Sequence, residues 1–96
     1  MDKGRTLEKG ARTERRTMAL LRREGFNVMR SPRSPFDVIG FNSVSVILVQ
    51  VKTNYWPPAR EVVQMRNFPA PPNTIKLIHR WRDGASSPDV RFVLAL

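Results

Sequence analysis

The stretch FDVIGFNSVSVILVQVKT, which runs from Phe36 to Thr53, decides the fold. It divides into two segments rich in β-branched and aromatic residues, Phe36–Phe41 and Val44–Thr53, with Asn42-Ser43 between them. β-Branched and aromatic residues favour strands, whereas Asn and Ser favour turns. The stretch therefore predicts two adjacent strands that fold back on each other as a hairpin.

Three polar side chains stand at the open end of this hairpin. Asp37 enters the first strand, and Gln50 and Lys52 leave the second. Folding about Asn42–Ser45 brings Asp37 near Gln50, and side chains two apart on a strand share a face. Lys52 is the only charged side chain between Asp37 and Arg60, and a charge on an apolar strand is costly without a partner or a role. We therefore expect Asp37, Gln50 and Lys52 to converge.

The charge of the chain favours a polyanionic partner. The 96 residues include 17 Lys and Arg but 8 Asp and Glu, which gives a net charge of +9. Residues 1–33 contain ten basic and four acidic residues, whereas residues 34–96 contain seven and four. Arg, the commoner basic residue, suits bidentate contacts with phosphate. This distribution favours nucleic-acid binding over a basic surface that is merely solvated.

Length and composition exclude several classes of protein. A chain of 96 residues suits a single small domain, residues 1–96. There is no cysteine and the one histidine is His79, which excludes disulfides and the usual zinc sites. No apolar run is long enough to span a membrane, and the N-terminus is charged rather than signal-like. We expect an intracellular, cytoplasmic protein without membrane attachment.

The segment Thr6–Glu24 predicts an amphipathic helix. Thr6 is placed to cap its start and Gly25 to end it, and its apolar face consists of Leu7, Ala11, Met18 and Leu21. Glu14 interrupts that face. Its role could be a structural salt bridge to a nearby arginine, or it could direct a carboxylate towards the site at Asp37.

The rest of the chain completes an α+β pattern. A short strand is predicted over Phe26–Arg30, a proline-containing loop over Ser31–Pro35 and a second helix over Ala59–Asn67. Two final strands are predicted over Thr74–Trp81 and Val90–Leu96. The order is helix, three strands, helix, two strands, which predicts a mixed central sheet with helices packed against it, an α/β sandwich-like arrangement.

Three more side chains have two possible roles each. Tyr55 and Trp56 lie beside the predicted site, where they could stack on a base, but such aromatics more often cover a small core, which is what we expect. His79 is expected to be structural, since general-base work would need a partner that the sequence does not place.

The spacing of Asp37, twelve residues, then Gln50-Val51-Lys52 resembles the active-site core of the PD-(D/E)xK nucleases. The sequence departs from that pattern at two positions. Phe36 stands where the pattern has Pro, and Gln50 stands where it has Asp or Glu.

The preceding segment resembles the opening of archaeal Holliday-junction resolvases, which has a Lys-Gly pair, a Glu-Arg pair, a helix and a Gly-Phe-x-Val strand. The corresponding residues here are Lys9-Gly10, Glu14-Arg15 and Gly25-Phe26-Asn27-Val28, and Ser31 matches a serine that the resolvases carry near the site. The likeness covers about Lys9 to Thr53 and is absent beyond. It implies a restriction-endonuclease-like core and supplies the topology of the sheet.

The resemblance implies a metal-dependent DNA endonuclease. Asp37 would be the principal Mg²⁺ ligand, with the amide oxygen of Gln50 and the carbonyl of Val51 beside it; Mn²⁺ would substitute for Mg²⁺. Glu14 would bind a second metal or a bound water. Lys52 would orient the attacking water or steady the phosphate.

The resemblance also implies a branched DNA substrate and a homodimer. The expected DNA contacts are Lys9, Arg12, Arg15, Arg30, Ser31 and Arg33. Two alternatives stay open: another nicking or restriction-type nuclease of the same fold, and a DNA-binding module whose site has decayed through Gln50. The presence of Glu14, Asp37 and Lys52 argues against decay.

Overall fold

The structure, a computed structural model, describes residues 3–31 and 34–95, and the side chains from residue 10 onward. Two helices and five strands follow one another in the predicted order. They are α1 (Lys3–Arg23), β1 (Asn27–Arg30), β2 (Val38–Phe41), β3 (Val46–Thr53), α2 (Ala59–Asn67), β4 (Thr74–Trp81) and β5 (Asp89–Phe92).

The five strands form one mixed sheet in the order β1-β2-β3-β4-β5. The hairpin predicted from the central stretch is present, because β2 and β3 are antiparallel with Val38 opposite Val49. β3 and β4 are parallel, and α2 connects them. β1 and β5 pair antiparallel with their neighbours at the two edges. The α+β fold class and the mixed sheet are confirmed.

β3 is buried on both faces, and its side chains alternate between two cores. Ile47 and Val49 pack with Leu21 of α1 in the α1 core. Leu48 packs with Met65 of α2 in the α2 core. The two helices therefore cover opposite faces of the sheet. This explains why β3 reads as an almost continuous apolar run rather than as an alternating one.

Gly25 ends α1 as the sequence predicts. The residue has a φ of 95°, the left-handed conformation that glycine adopts without a steric penalty. The Phe26 N–H donates to the Leu21 carbonyl at 3.0 Å and the Gly25 N–H to the Arg22 carbonyl at 3.0 Å, the pair of bonds of a Schellman motif. Within the described residues, no helix has the length and apolar character needed to cross a membrane.

The first helix and the hairpin strands differ from their predicted bounds. α1 begins at Lys3, so Thr6 lies inside the helix and is not its cap; a helix extends cheaply once its first turn exists. β2 begins two residues later than predicted, because Phe36 is fully buried in the α2 core instead of pairing. β3 begins at Val46, because the Asn42 side chain accepts hydrogen bonds from the N–H groups of Val44 and Ser45.

The last strand is also shorter than the predicted Val90–Leu96, since β5 ends at Phe92. Beyond it the Val93 N–H donates to the Lys76 carbonyl at 2.8 Å, and the Val93 side chain enters the α2 core. The Leu94 carbonyl then accepts a hydrogen bond from Nε of Arg66, on α2, at 3.1 Å. This side-chain donor takes the place of a backbone N–H from a neighbouring strand.

A buried chain of polar side chains ties α1 to β4. Trp81 Nε1 donates to Thr17 Oγ1 at 2.8 Å, and Thr17 Oγ1 lies 3.1 Å from His79 Nδ1. Since the indole can only donate, the Thr17 hydroxyl keeps its own hydrogen for His79 Nδ1. His79 is 4% exposed, and burial lowers its pKa from 6.5 to about 4. The structural role predicted for His79 is confirmed.

The first prediction concerns acid stability. Because the folded protein holds His79 neutral down to about pH 4, the unfolded chain binds the extra proton between about pH 6.5 and pH 4, and stability falls as the pH is lowered through that window. The His79→Gln variant has no imidazole at this position and therefore takes up no such proton when it unfolds. Urea unfolding at pH 7 and pH 4.5 should show the stability advantage of the wild type over His79→Gln shrinking by roughly 2 kcal/mol. An advantage that is the same at both pH values would contradict a neutral buried His79.

Candidate active site

Asp37 is fixed by the backbone of β3. Its N–H donates to the Val49 carbonyl at 2.9 Å, which continues the hairpin pairing by one residue. Its carboxylate oxygen Oδ2 accepts from the Val51 N–H at 2.7 Å. Burial raises the pKa of Asp37, the Val51 N–H and Lys52 oppose that shift, and Glu61 adds to it. The carboxylate is thus held rigidly in a place where its charge is poorly solvated.

Glu14 projects from α1 towards the same place. Its Oε1 lies 3.7 Å from Arg30 Nε, so the salt bridge considered for this residue exists and its partner is on β1. Burial raises the pKa of Glu14; the charge of Asp37 raises it further and Arg30 lowers it. The coupling with Asp37 places the two carboxylates in one site, so the salt bridge and the inward carboxylate occur together.

Lys52 reaches the site from the α2 face of β3. Its Nζ lies 3.4 Å from Glu61 Oε2 and 3.5 Å from Glu61 Oε1, with both side chains about one third exposed. Glu61 is not among the residues that the sequence predicts for the site. Its position in the first turn of α2, nine residues after Lys52, is the sequence feature that indicates it. The charge of Glu61 also acts on Asp37, so Glu61 belongs to the site.

Gln50 lies beside Asp37 and Lys52, but its side chain points to the loop that precedes Asp37. It is 6% exposed, and its Nε2 donates to the Pro35 carbonyl at 3.1 Å. Its Oε1 is buried without a hydrogen-bond partner among the described residues. A buried amide oxygen without a donor is unfavourable unless a water or a cation meets it.

The loop before Asp37 is held by serine hydroxyls. Ser31 Oγ and Ser34 Oγ are 2.9 Å apart, and Ser34 Oγ accepts from the Phe36 N–H at 3.0 Å. The Ser31 N–H donates to the Asp37 carbonyl at 3.0 Å, which brings this serine next to the site. Arg33 lies outside the described residues.

The remaining basic residues predicted to contact DNA surround the site unevenly. Arg30 is bound to Glu14 at its edge. Arg12 and Arg15 are exposed on α1. The Lys9 side chain is outside the part of the chain whose side chains are described. Beside the site, Trp56 packs on the α2 core with the Arg80 and Arg91 guanidiniums 4.4 Å and 3.9 Å from its ring centre.

The two aromatic residues that follow β3, Tyr55 and Trp56, therefore have different surroundings. Trp56 covers the core, as expected. The expectation is wrong for Tyr55, whose side chain is 78% exposed; it lies in the turn that follows β3, where the chain leaves the sheet.

The ligands present are oxygen atoms, the kind that Mg²⁺ prefers. Among the described residues no three His, Cys, Asp or Glu side chains gather closely enough to hold a metal by themselves. A divalent cation would therefore use the Asp37 carboxylate together with neutral oxygens and water, and the orphaned Gln50 Oε1 is one such oxygen. The donor set fits a hard cation that retains several waters.

Comparison with known proteins agrees with this geometry. The profile of a family described as archaeal Holliday junction resolvase (Hjc) matches residues 5–58. The 1.6 Å structure of Archaeoglobus fulgidus Hjc, a Holliday junction resolvase from an archaeal hyperthermophile, is similar with a TM-score of 0.67 and 26% sequence identity, over 88% of this chain and 70% of that chain. No curated protein sequence matches. The matched residues include Glu14, Asp37, Gln50 and Lys52.

The second prediction concerns the cost of the Asp37 charge. In metal-free protein at pH 7, Asp37→Asn should raise the free energy of unfolding by on the order of 1 kcal/mol, because it removes a poorly solvated charge and keeps an acceptor for the Val51 N–H. The gain should shrink as the pH falls through the raised pKa of Asp37, since the wild-type carboxyl then becomes neutral too.

Asp89→Asn is the matched control for this measurement. Asp89 Oδ2 lies 2.7 Å from Arg80 Nη2, and the hydrogen bond from Arg80 lowers the pKa of Asp89. Its replacement should therefore fail to stabilise the protein. Thermal or urea unfolding measures both variants, and equal effects at the two positions would refute the difference between their environments.

Proposed function

The chain belongs to the archaeal Holliday junction resolvase family, which makes it a junction-resolving nuclease, and we propose that it hydrolyses DNA phosphodiesters with Mg²⁺ at the Asp37 site. The observation that carries the proposal is the proximity of Glu14, Asp37 and Lys52, which lie on α1, directly before β2 and near the end of β3. Two partly desolvated carboxylates beside a lysine suit a cation and a phosphate.

Asp37 is the principal metal ligand in this proposal, with Gln50 Oε1 and the Val51 carbonyl as neutral ligands. Glu14 binds a second cation or a metal-bound water. The metal, when bound, activates water and offsets the charge that develops on the phosphate oxygens. Mn²⁺ can replace Mg²⁺ because it accepts the same oxygen ligands.

Lys52 directs its ammonium at the water or at the phosphate. Glu61 holds that ammonium at 3.4 Å, so Lys52 stays oriented when no phosphate is present. The Val51 N–H holds Asp37 at 2.7 Å, which keeps the carboxylate in place through the reaction. These contacts make the site rigid before DNA arrives.

The partner in this proposal is branched DNA, and the working unit is a homodimer. Resolving a junction requires two symmetrically related cuts, which a two-fold dimer with two sites supplies. The final strand offers the surface. An apolar edge on the α1 face of β4 and β5 leaves large side chains 41–71% exposed: Ile75, Val90, Phe92 and Leu94.

The proposal treats the 96 residues as one nuclease domain. Its two core faces share β3, so the sheet and both helices support one site. In this proposal the DNA substrate places the protein inside the cell, in the cytoplasm.

The third prediction tests the reaction. The wild type should cut a four-way junction in Mg²⁺ or Mn²⁺ and not in chelator, and should cut linear duplex and single strands more slowly. Asp37→Asn and Lys52→Ala should reduce the cleavage rate at least about 100-fold and leave DNA binding largely intact, because phosphate contacts by arginine do not need the metal. Ser43→Ala, an exposed residue of the hairpin turn, is the control that should cut normally.

Gln50→Glu separates this proposal from the decayed module. If the wild type cuts no DNA form with either metal and Gln50→Glu does, position 50 has lost the activity and the protein is a DNA-binding module. Preferential cutting of linear duplex would favour a restriction-type or nicking nuclease. Gln50→Glu should also lower stability, since Glu cannot donate to the Pro35 carbonyl.

The fourth prediction tests the dimer. Light scattering of the wild type at micromolar concentration should give twice the mass of one chain, 11.1 kDa. Phe92→Ser should shift the particle towards the monomer, because it removes a large apolar side chain from the apolar edge. Val44→Ser changes a residue of the hairpin turn that is 74% exposed, and should leave the mass unchanged. A monomeric wild type would contradict the proposed dimer.

A further inference from the structure

A cavity opens between α1, the end of β3 and the turn after β4, on the face of the sheet that α1 covers. Its volume is about 310 Å³. Thr13 and Thr53 form the wall towards the site, with their hydroxyl oxygens 3.3 Å apart. Each is the chain neighbour of a site residue, Glu14 or Lys52. The cavity therefore adjoins the site through the backbone of α1 and of β3, with Thr53 and Lys52 on opposite faces of the strand.

Three arginines line this cavity: Arg12 and Arg16 from α1, and Arg82 from the turn after β4. Arg12 is exposed, and no ion pair of its guanidinium occurs among the described side chains. Arg82 Nε lies 3.0 Å from Asp89, which also binds Arg80. The lining thus has three positive charges against one negative charge, that of Asp83.

The cavity is built by packed and bonded groups. The Arg16 guanidinium lies 4.1 Å from the centre of the Trp81 ring, and its Nη2 donates to the Ala85 carbonyl at 2.6 Å. Asn54, in the left-handed conformation with φ 68°, donates from Nδ2 to Asp83 Oδ2 at 3.1 Å and accepts from the Asp83 N–H at 2.9 Å. These bonds hold the turn that carries Arg82 against α1, so Arg16 and Arg82 do not have to be ordered when an anion binds.

The lining suits a phosphate better than a base. Trp81 is 3% exposed, Arg16 covers its ring, and its Nε1 is bonded to Thr17, so no aromatic face is open for stacking. The remaining charged groups are the three guanidiniums, which donate to phosphate oxygens, and the Asp83 carboxylate. The Thr13 hydroxyl already donates to the Gly10 carbonyl at 2.9 Å, so the arginines are the donors left for a phosphate. A DNA strand carries one phosphate per nucleotide, so a strand held at the site offers neighbouring phosphates to a cavity that adjoins it.

We propose that the cavity of Arg12, Arg16 and Arg82 binds a backbone phosphate of the DNA strand that is cut, beside the scissile phosphate. This inference rests on the proposed function for its substrate, but the contact it assigns is separate from the chemistry at Asp37. The arginines fix the register of the strand, so that the phosphate to be cut meets Lys52 and the metal ligands.

The test couples one arginine to one phosphate. Binding to a four-way junction is measured in chelator, so that no cleavage occurs, with wild type, Arg12→Gln and Arg23→Gln. Arg23 is exposed in the last turn of the same helix, about 16 Å along the axis from Arg12, and serves as the control. Arg12→Gln should weaken binding roughly fivefold at 0.15 M salt and reduce the slope of log K against log salt by about 0.9. Arg23→Gln should change neither quantity.

The phosphate is located with junctions that carry a single uncharged methylphosphonate at successive positions around the cut site. At one position next to the cut, the neutral linkage should weaken the binding of the wild type. The same linkage should not weaken the binding of Arg12→Gln any further, because the effects of two changes that remove one direct contact do not add. Arg82→Gln should show the same coupling at the same position. Arg16 is left unchanged in these variants because it also supports Trp81.

The outcomes separate this inference from the proposed function. If the two losses add at every position, or the salt slope of Arg12→Gln equals that of the wild type, the cavity holds no phosphate, whatever the protein cuts. If the coupling is found next to the cut site, the cavity assignment stands. If the wild type binds junctions with this coupling but cuts none in Mg²⁺ or Mn²⁺, the nuclease proposal fails and the phosphate cavity remains.

Discussion

The register between β2 and β3 is the constraint on which the rest of the structure depends. Val38 lies opposite Val49, and this single alignment places the Asp37 carboxylate against the Val51 N–H. A slip of one residue would exchange the two faces of β3. Ile47 and Val49 would leave the α1 core, and Lys52 would turn away from Glu61. The core and the site are thus fixed by the same pairing, and the apolar alternation that stabilises the fold also positions the charges.

The site nevertheless opposes the stability that the core provides. Burial raises the pKa values of Asp37 and Glu14, so the folded protein without a cation holds two carboxylates in conditions that disfavour their charge. Arg30 and Lys52 offset this only in part. A protein of this size has a modest core. It nevertheless retains two poorly solvated carboxylates that lower its free energy of unfolding. Such local disagreement with the folding rules is typical of a functional site.

The sequence predicted most of the fold and the site charges of Glu14, Asp37 and Lys52, but not that of Glu61. Periodicity and turn residues placed the hairpin, α2 and β4, because those signals are local. Asp37 and Lys52 followed from alternation along one hairpin. Glu61 and the cavity beside Trp81 could not be predicted in the same way, since their positions depend on how α2 packs on the sheet and how the turn after β4 meets α1. Thr6 and the end of β5 were misplaced because propensity does not fix where pairing stops.

Position 50 shows how the surroundings decide which residue a motif can hold. Gln50 Nε2 donates to the Pro35 carbonyl, and a glutamate there would set a negative charge against that oxygen. The negative charge of Glu61 already acts on Asp37, and Glu61 forms its salt bridge with Lys52 from α2. A glutamate at position 50 would add a third charge to Asp37 and Glu61 around one lysine. With glutamine the loop before Asp37 keeps its donor, and α2 supplies a carboxylate that β3 lacks. The neutral residue is therefore consistent with a charged site, because the charge balance is set by three elements and not by the strand motif alone.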